Sequence, residues 1–219
     1  MPSVGVLGGT FNPIHNGHLA IARQTREALA LDRVVFVPTG DPPHKPNEHL
    51  ATAEHRYEMV RLAIASDPLL SISDVEVRRP GKSYTIDTIR LLQREYGQGT
   101  RLFFLIGLDA FLEFPTWSEP ATLLTLCSFV VLSRPGLSFQ GLSALPLIPR
   151  IPQTSLMELD AGRNVRLDIS LGLQSLTCLR LPPSNVSASD IRARLAQGAP
   201  TANLLPPVVE SYILQHHIY

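Results

Sequence analysis

The chain carries no excess of either charge and very little sulfur. Nineteen Lys and Arg residues balance nineteen Asp and Glu residues over 219 positions, so the formal net charge is zero. No overall field is available to gather nucleic acid or an anionic membrane, and any anion site has to be built locally. The two cysteines, Cys127 and Cys178, lie in apolar runs without metal-ligand spacing and read as buried, reduced thiols. No signal segment is read, because the N-terminal residues run straight into a strand-like stretch. The longest apolar run, 123–132, is broken by Thr125 and Ser128 and is too short to cross a bilayer. These absences predict a soluble, cytoplasmic protein with neither nucleic acid nor membrane as a partner. There is one tryptophan, Trp117, and no repeat or low-complexity tract. A hydrophobic share of 44% leaves enough apolar surface for a large core, read as a single domain over residues 1–219.

Strand-like and helix-like segments alternate. Continuous apolar runs at 4–7, 34–37, 69–73, 102–106 and 129–132 read as strands. Segments 19–30, 52–66 and 85–96 read as helices, with Ile86, Ile89 and Tyr96 at helical spacing in the last. Apolar strands alternating with helices predict an α/β fold: a doubly wound, Rossmann-like parallel sheet with helices on both faces. Ligands then belong beyond the carboxyl ends of the strands. Residues 134–181 read as irregular connection and edge elements. Two C-terminal helices follow, one over 187–197 stopped by Gly198 and one from Pro206-Pro207 to about His217.

The stretch from Gly8 to His18 carries most of the information. Gly8 and Gly9 follow the first strand, and Thr10 and Phe11 lead into a turn. His15 and His18, separated by Asn16 and Gly17, stand where a helix must open. Backbone N–H groups at such a junction suit phosphate, either histidine can donate to phosphate oxygens, and Gly17 admits close approach to the backbone. Other clusters fall at element ends. Lys45, after the stiff Pro42-Pro43 pair, offers a point charge. Ser83, Tyr84 and Thr85 open a helix, with Ser83 or Thr85 as N-cap or the free N–H groups as an anion site. Gly107 and Asp109 follow the fourth strand, where a carboxylate can accept a ribose hydroxyl or cap a helix. Trp117, beside Ser118, can stack on an aromatic ligand or pack in the core. Ser187, Ser189 and Arg192 open a late helix and either cap it or cradle a second set of phosphates.

In these stretches the chain resembles the bacterial nicotinate-nucleotide adenylyltransferases, within the nucleotidyltransferases that share a His-x-Gly-His motif. The matching residues are Gly8–His18, 42–45, Ser83–Thr85 with Asp87 and Thr88, Gly107–Asp109, Trp117 and Arg134–Gly136. Val186–Arg192 and the closing Pro206, Val209, Tyr212, Ile213 and Tyr219 complete the set. The family's serine-rich motif usually has serine and threonine where this chain has Ala188 and Ser189. Residues 137–181 show no match.

The resemblance implies adenylyl transfer from ATP to nicotinate mononucleotide, giving nicotinate adenine dinucleotide and pyrophosphate in NAD biosynthesis. It implies that Gly8, Gly9, Thr10, Phe11, His15, His18, Gly107, Asp109, Ser187, Ser189 and Arg192 bind ATP. Ser83, Tyr84, Thr85, Asp109, Trp117, Ser118 and Lys45 would bind the acceptor. His15, His18, Lys45 and Arg192 would be catalytic, and Mg2+ would arrive with ATP rather than in a protein cage. The attacking phosphate is ionised near neutrality, its second pKa being about 6, so no general base is needed. The sequence offers no carboxylate pair or nucleophile triad. Two other readings stay open: a relative preferring nicotinamide mononucleotide or another phosphate acceptor, and a non-catalytic nucleotide-binding module. Chain length and the lack of a basic face argue against a tRNA synthetase.

Overall fold

A computed structural model describes residues 1–42 and 50–219. Seven strands form one sheet: β1 (Ser3–Gly9), β2 (Arg33–Pro38), β3 (Leu70–Ile72), β4 (Arg101–Gly107), β5 (Ser128–Leu132), β6 (Arg166–Leu171) and β7 (Gln174–Leu179). Their order is β3-β2-β1-β4-β5-β7-β6. β2 pairs with β3, β4 with β5 and β5 with β7 in parallel, while β6 pairs antiparallel with β7. This is the expected doubly wound α/β order with an antiparallel edge added. The strand order reverses at β1, which places Gly8 and Gly9 at a carboxyl end where such sheets bind ligands.

The chain packs as two compact units, Met1–Val6 with Tyr84–Pro183 and Leu7–Ser83 with Ser184–Tyr219. In the first, all five residues of β5 are buried, as are Leu102 to Ile106 of β4. Continuous apolar strands of this kind have both faces covered. Helices α3 (Thr85–Tyr96), α4 (Leu108–Leu112), α5 (Pro120–Leu126) and α6 (Gln153–Asp160) belong to this unit. Helix α3 buries Ile86, Thr88, Ile89 and Leu92, a single stripe at helical spacing. Phe111 stacks on Phe114 at 5.2 Å, and Phe129 meets Phe104 at 5.8 Å and Phe114 at 5.2 Å in edge-on geometry.

The segment read as irregular connection and edge elements contains only a short 3-10 stretch, Phe139–Ala144, before α6. It then supplies the hairpin of β6 and β7. In β6 Arg166, Asp168 and Ser170 are exposed and alternate with half-buried Leu167, Ile169 and Leu171. The exposed side carries an Arg166–Asp168 ion pair at 2.8 Å, a charged rim that discourages edge pairing.

The second unit holds α1 (Asn16–Leu29), α2 (Ala53–Ile64), α7 (Ala188–Ala196) and α8 (Pro207–His216). Helix α1 turns Leu19, Ala22 and Thr25 inward and ends on Ala30 in the left-handed region, whose N–H satisfies the carbonyls of Arg26 and Glu27. Thr52 caps α2 through the His55 N–H at 3.3 Å. The last two helices lie where the sequence places them.

Candidate active site

In the unit of Leu7–Ser83 and Ser184–Tyr219, the turn after β1 is held by its own side chains. Phe11 takes a left-handed backbone, φ 48°, which costs an ordinary L-residue free energy and needs over-determining surroundings. Its ring is buried, meeting Phe36 at 5.6 Å and the His18 imidazole edge-on at 5.0 Å. His15 is the N-cap of α1. Its imidazole stacks on that of His18 with centroids 3.7 Å apart. The His15 backbone N–H donates to His18 Nδ1 at 3.3 Å. In the neutral ring that acceptor role leaves the proton on Nε2. His15 is buried and His18 half-buried.

A side chain at Gly17 would lie 2.9 Å from Ser184 Oγ and 3.0 Å from His15 Nδ1. Packing within the chain thus gives the glycine a second reason, beside the close approach of a ligand that the sequence suggests.

Arg192, in α7, reaches back to this turn. Its Nη1 donates to the Asn12 carbonyl at 2.8 Å, bridging 180 positions of sequence. At the head of α7, Ser187 occupies the N-cap but makes no side-chain cap; its hydroxyl instead shares a 2.7 Å hydrogen bond with Ser189. Asp190, in the first turn of α7, pairs with Arg194 at 2.9 Å. Two small hydroxyls thus stay exposed at a helix N-terminus beside an arginine.

Ser83 points into the protein. Buried at 9% exposure, its Oγ accepts the Gly40 N–H at 3.2 Å. Lys45, with Pro43 and His44 of the same stretch, lies outside the described residues.

The residue the sequence reading missed is Arg56. It is 1% exposed, and Nε, Nη1 and Nη2 donate to the carbonyls of Ala51, Thr10 and Gly40 at 2.9, 2.9 and 3.0 Å. Burial lowers its pKa from the ordinary arginine value, opposed by Tyr219, Glu54 and Glu76, yet an arginine stays charged. Arg56, Val60 and Ile64 recur every four residues on the buried face of α2. A charge in that stripe was the available signal.

In the other unit, Gly107 is the N-cap of α4 and Asp109 its second residue, so Asp109 is not the cap the sequence allowed. Its Oδ1 pairs with Arg134 Nε at 3.1 Å, both side chains being half exposed. Tyr84, not Ser83 or Thr85, is the N-cap of α3, with Thr85 following as the first helical residue. Trp117 is half-buried, packing against Phe114 at 5.7 Å and edge-on against Phe104 at 6.2 Å. Ser118 beside it is exposed.

The cytidylyltransferase-like family model matches residues 6–194. A probable nicotinate-nucleotide adenylyltransferase of Geobacter metallireducens is 43% identical over 98% of this chain and 97% of its own length. The chain belongs to the nicotinate-nucleotide adenylyltransferase family. A second probable member, from Moorella thermoacetica, is 39% identical over 99% of this chain and 91% of its own. The fold is shared with the Plasmodium falciparum nicotinic acid mononucleotide adenylyltransferase complexed with NaAD. That structure has a TM-score of 0.71 at 16% identity and is matched over 99% of this chain and 97% of its own. A putative nicotinate-nucleotide adenylyltransferase of Vibrio parahaemolyticus gives a TM-score of 0.64 at 16% identity, covering 100% and 96%. Among the described residues, no helix is long and apolar enough to cross a membrane.

Proposed function

We propose that the chain joins ATP and nicotinate mononucleotide into nicotinate adenine dinucleotide and pyrophosphate, in NAD biosynthesis. The observation that carries the reading is the Arg192 guanidinium bound to the Asn12 carbonyl at 2.8 Å, on the turn that leads into His15 and His18. A phosphate oxygen of the mononucleotide attacks the α-phosphorus of ATP, a new P–O bond forms, and the bond to the β-phosphate oxygen breaks with its electrons leaving on pyrophosphate. The nucleophile is already ionised, so no proton has to be removed. Catalysis is then positioning and charge stabilisation. His18 donates from Nε2 to the α-phosphate. Arg192 and Lys45 balance charge on the phosphates, and Ser187 with Ser189 holds the outer ones. His15, being buried, acts chiefly by setting the His18 ring, with Gly8, Gly9, Thr10 and Phe11 shaping the turn.

Acceptor binding is assigned to the other cluster. Trp117 stacks on the pyridine, and backbone N–H groups near Thr85 and Ser118 receive a carboxylate, which accepts hydrogen bonds and donates none. Tyr84 flanks it. Asp109, preceded by Gly107, accepts a ribose hydroxyl. Ser83 contributes by fixing Gly40. Among the described residues, no group of three or more His, Cys, Asp or Glu side chains is placed to hold a metal ion. Mg2+ would come with ATP, held by the triphosphate and water, where it would offset phosphate charge. Cytoplasmic residence belongs to the same proposal, since both cysteines are free thiols.

Pyrophosphate release from ATP with each pyridine mononucleotide in turn tests the reading. Faster turnover with the acid is expected; a marked preference for the amide, or no release with either, would sink it.

A further inference from the structure

Asn12 is the hub of the turn that carries the histidines. Its backbone carbonyl holds Arg192 Nη1 at 2.8 Å. Its side-chain Oδ1 accepts two hydrogen bonds, from the Ala51 N–H at 3.1 Å and from the Tyr219 hydroxyl at 2.6 Å. The backbone N–H of Ala51 can only donate, so the amide must present its oxygen there, and the orientation of Asn12 is settled. Ala51 is itself gripped through its carbonyl by Arg56 Nε at 2.9 Å, and Arg56 Nη1 holds the Thr10 carbonyl at 2.9 Å. Thr10, Asn12 and Ala51 are thus pinned to one another by two side chains from distant parts of the sequence, Arg56 and Tyr219.

Tyr219 suits this task chemically. Burial raises the pKa of its phenol, outweighing the neighbouring guanidinium groups of Arg192 and Arg56, which act in the opposite direction. The hydroxyl therefore keeps its proton and donates it to Asn12. It stands 207 positions from its partner in sequence, and no role in the chemistry was assigned to it.

We infer that Tyr219 is a positioning residue for adenylyl transfer: its hydroxyl locks Asn12 so that the Asn12 carbonyl presents the Arg192 guanidinium to the triphosphate. The inference rests on the proposed function. Removing the hydroxyl takes away one of the two hydrogen bonds on Oδ1 and leaves the Ala51 N–H as the weaker anchor, so the carbonyl that orients Arg192 is held less firmly. The acceptor mononucleotide is untouched by this change.

The test is steady-state pyrophosphate release by wild type, Tyr219→Phe, Arg192→Lys and the double variant, with thermal melting of each. Tyr219→Phe is expected to lower kcat about tenfold, the scale of one well-made hydrogen bond. KM for nicotinate mononucleotide should stay within about twofold, and melting should remain cooperative. In the Arg192→Lys background, where the bond to Asn12 is already lost, adding Tyr219→Phe should cost less than about twofold, since residues acting through one contact are not additive. Asn12→Ser, which keeps the backbone carbonyl and removes Oδ1, should reproduce the kcat loss and likewise not add to Tyr219→Phe. Full kcat in Tyr219→Phe, or an equal loss with and without Arg192, overturns the inference while leaving the reaction intact. A wild-type protein that releases no pyrophosphate overturns the proposed function, and this inference with it.

Discussion

The imidazoles of His15 and His18 stack 3.7 Å apart with their planes 24° from parallel, and the His15 backbone N–H feeds His18 Nδ1. That hydrogen bond occupies Nδ1 and leaves the proton of the neutral His18 ring on Nε2. His18→Ala should therefore retain the fold, judged by circular dichroism, and lose about 10²–10³ in kcat, the usual cost of one transition-state donor. Unchanged pyrophosphate release by that variant would favour a nucleotide-binding module without catalysis.

Arg56 supports the same turn from beneath. Lysine in its place keeps the charge but cannot reach three carbonyls, and a buried carbonyl left unpaired costs about 1–3 kcal/mol. Arg56→Lys should lose at least that much in urea unfolding. A stability equal to wild type would show that water replaces the guanidinium without cost. Gly40→Ala should be damaging through the same region, because the added methyl would strike the Glu76 carbonyl.

Trp117 is expected to act on one substrate only. Trp117→Ala should raise KM for nicotinate mononucleotide about tenfold, the scale of an aromatic stack on a base, with KM for ATP within about twofold. Equal effects on both would place Trp117 in the core alone.

Both cysteines are predicted to be silent at neutral pH. Burial pushes Cys127 and Cys178 up to about 12 from an ordinary 9.0. Neither should react with a thiol reagent until the chain unfolds. The unfolded thiols lose protons first as pH rises, so folding stability should fall between about pH 9 and 12. Each thiol adds to that decline as it ionises in the unfolded chain. Replacing both with alanine should flatten the decline.

The Arg134–Asp109 pair joins two side chains that are each 51% exposed. Solvent screening limits such a pair to less than about 1 kcal/mol, so Arg134→Ala should melt within a few degrees of wild type. A turnover loss in that variant would then report on the site and not on stability.

The strands buried on both faces were legible because nothing but apolar side chains suits them. β5, with every residue buried, and β4 are of this kind. The β6–β7 hairpin was passed over, although Leu167, Ile169 and Leu171 alternate with polar residues as a half-exposed edge strand does. β6 runs for only six residues before the turn at Gly172, which leaves little length for a period-two signal to stand out. At the site, His15, His18 and Arg192 were visible as residue types at element ends. Arg56 lay outside that approach: it sits within α2, its partners are backbone carbonyls that leave no mark in a sequence, and only its charge in a buried stripe pointed to it. Asn12 and Tyr219 were seen only as matching positions, since a hydrogen bond across 207 residues has no local pattern.

Asn12 leaves the ribosome before Arg192 and Tyr219, which follow it by 180 and 207 positions. Neither contact with Asn12 can form while the intervening residues are still being added. The nascent protein can therefore assemble a sheet and bury its aromatics long before its histidine turn is locked. Closing such distant contacts late is slow compared with helix formation, so competence should lag behind compaction. On refolding, ATP turnover should recover after the far-ultraviolet signal has returned.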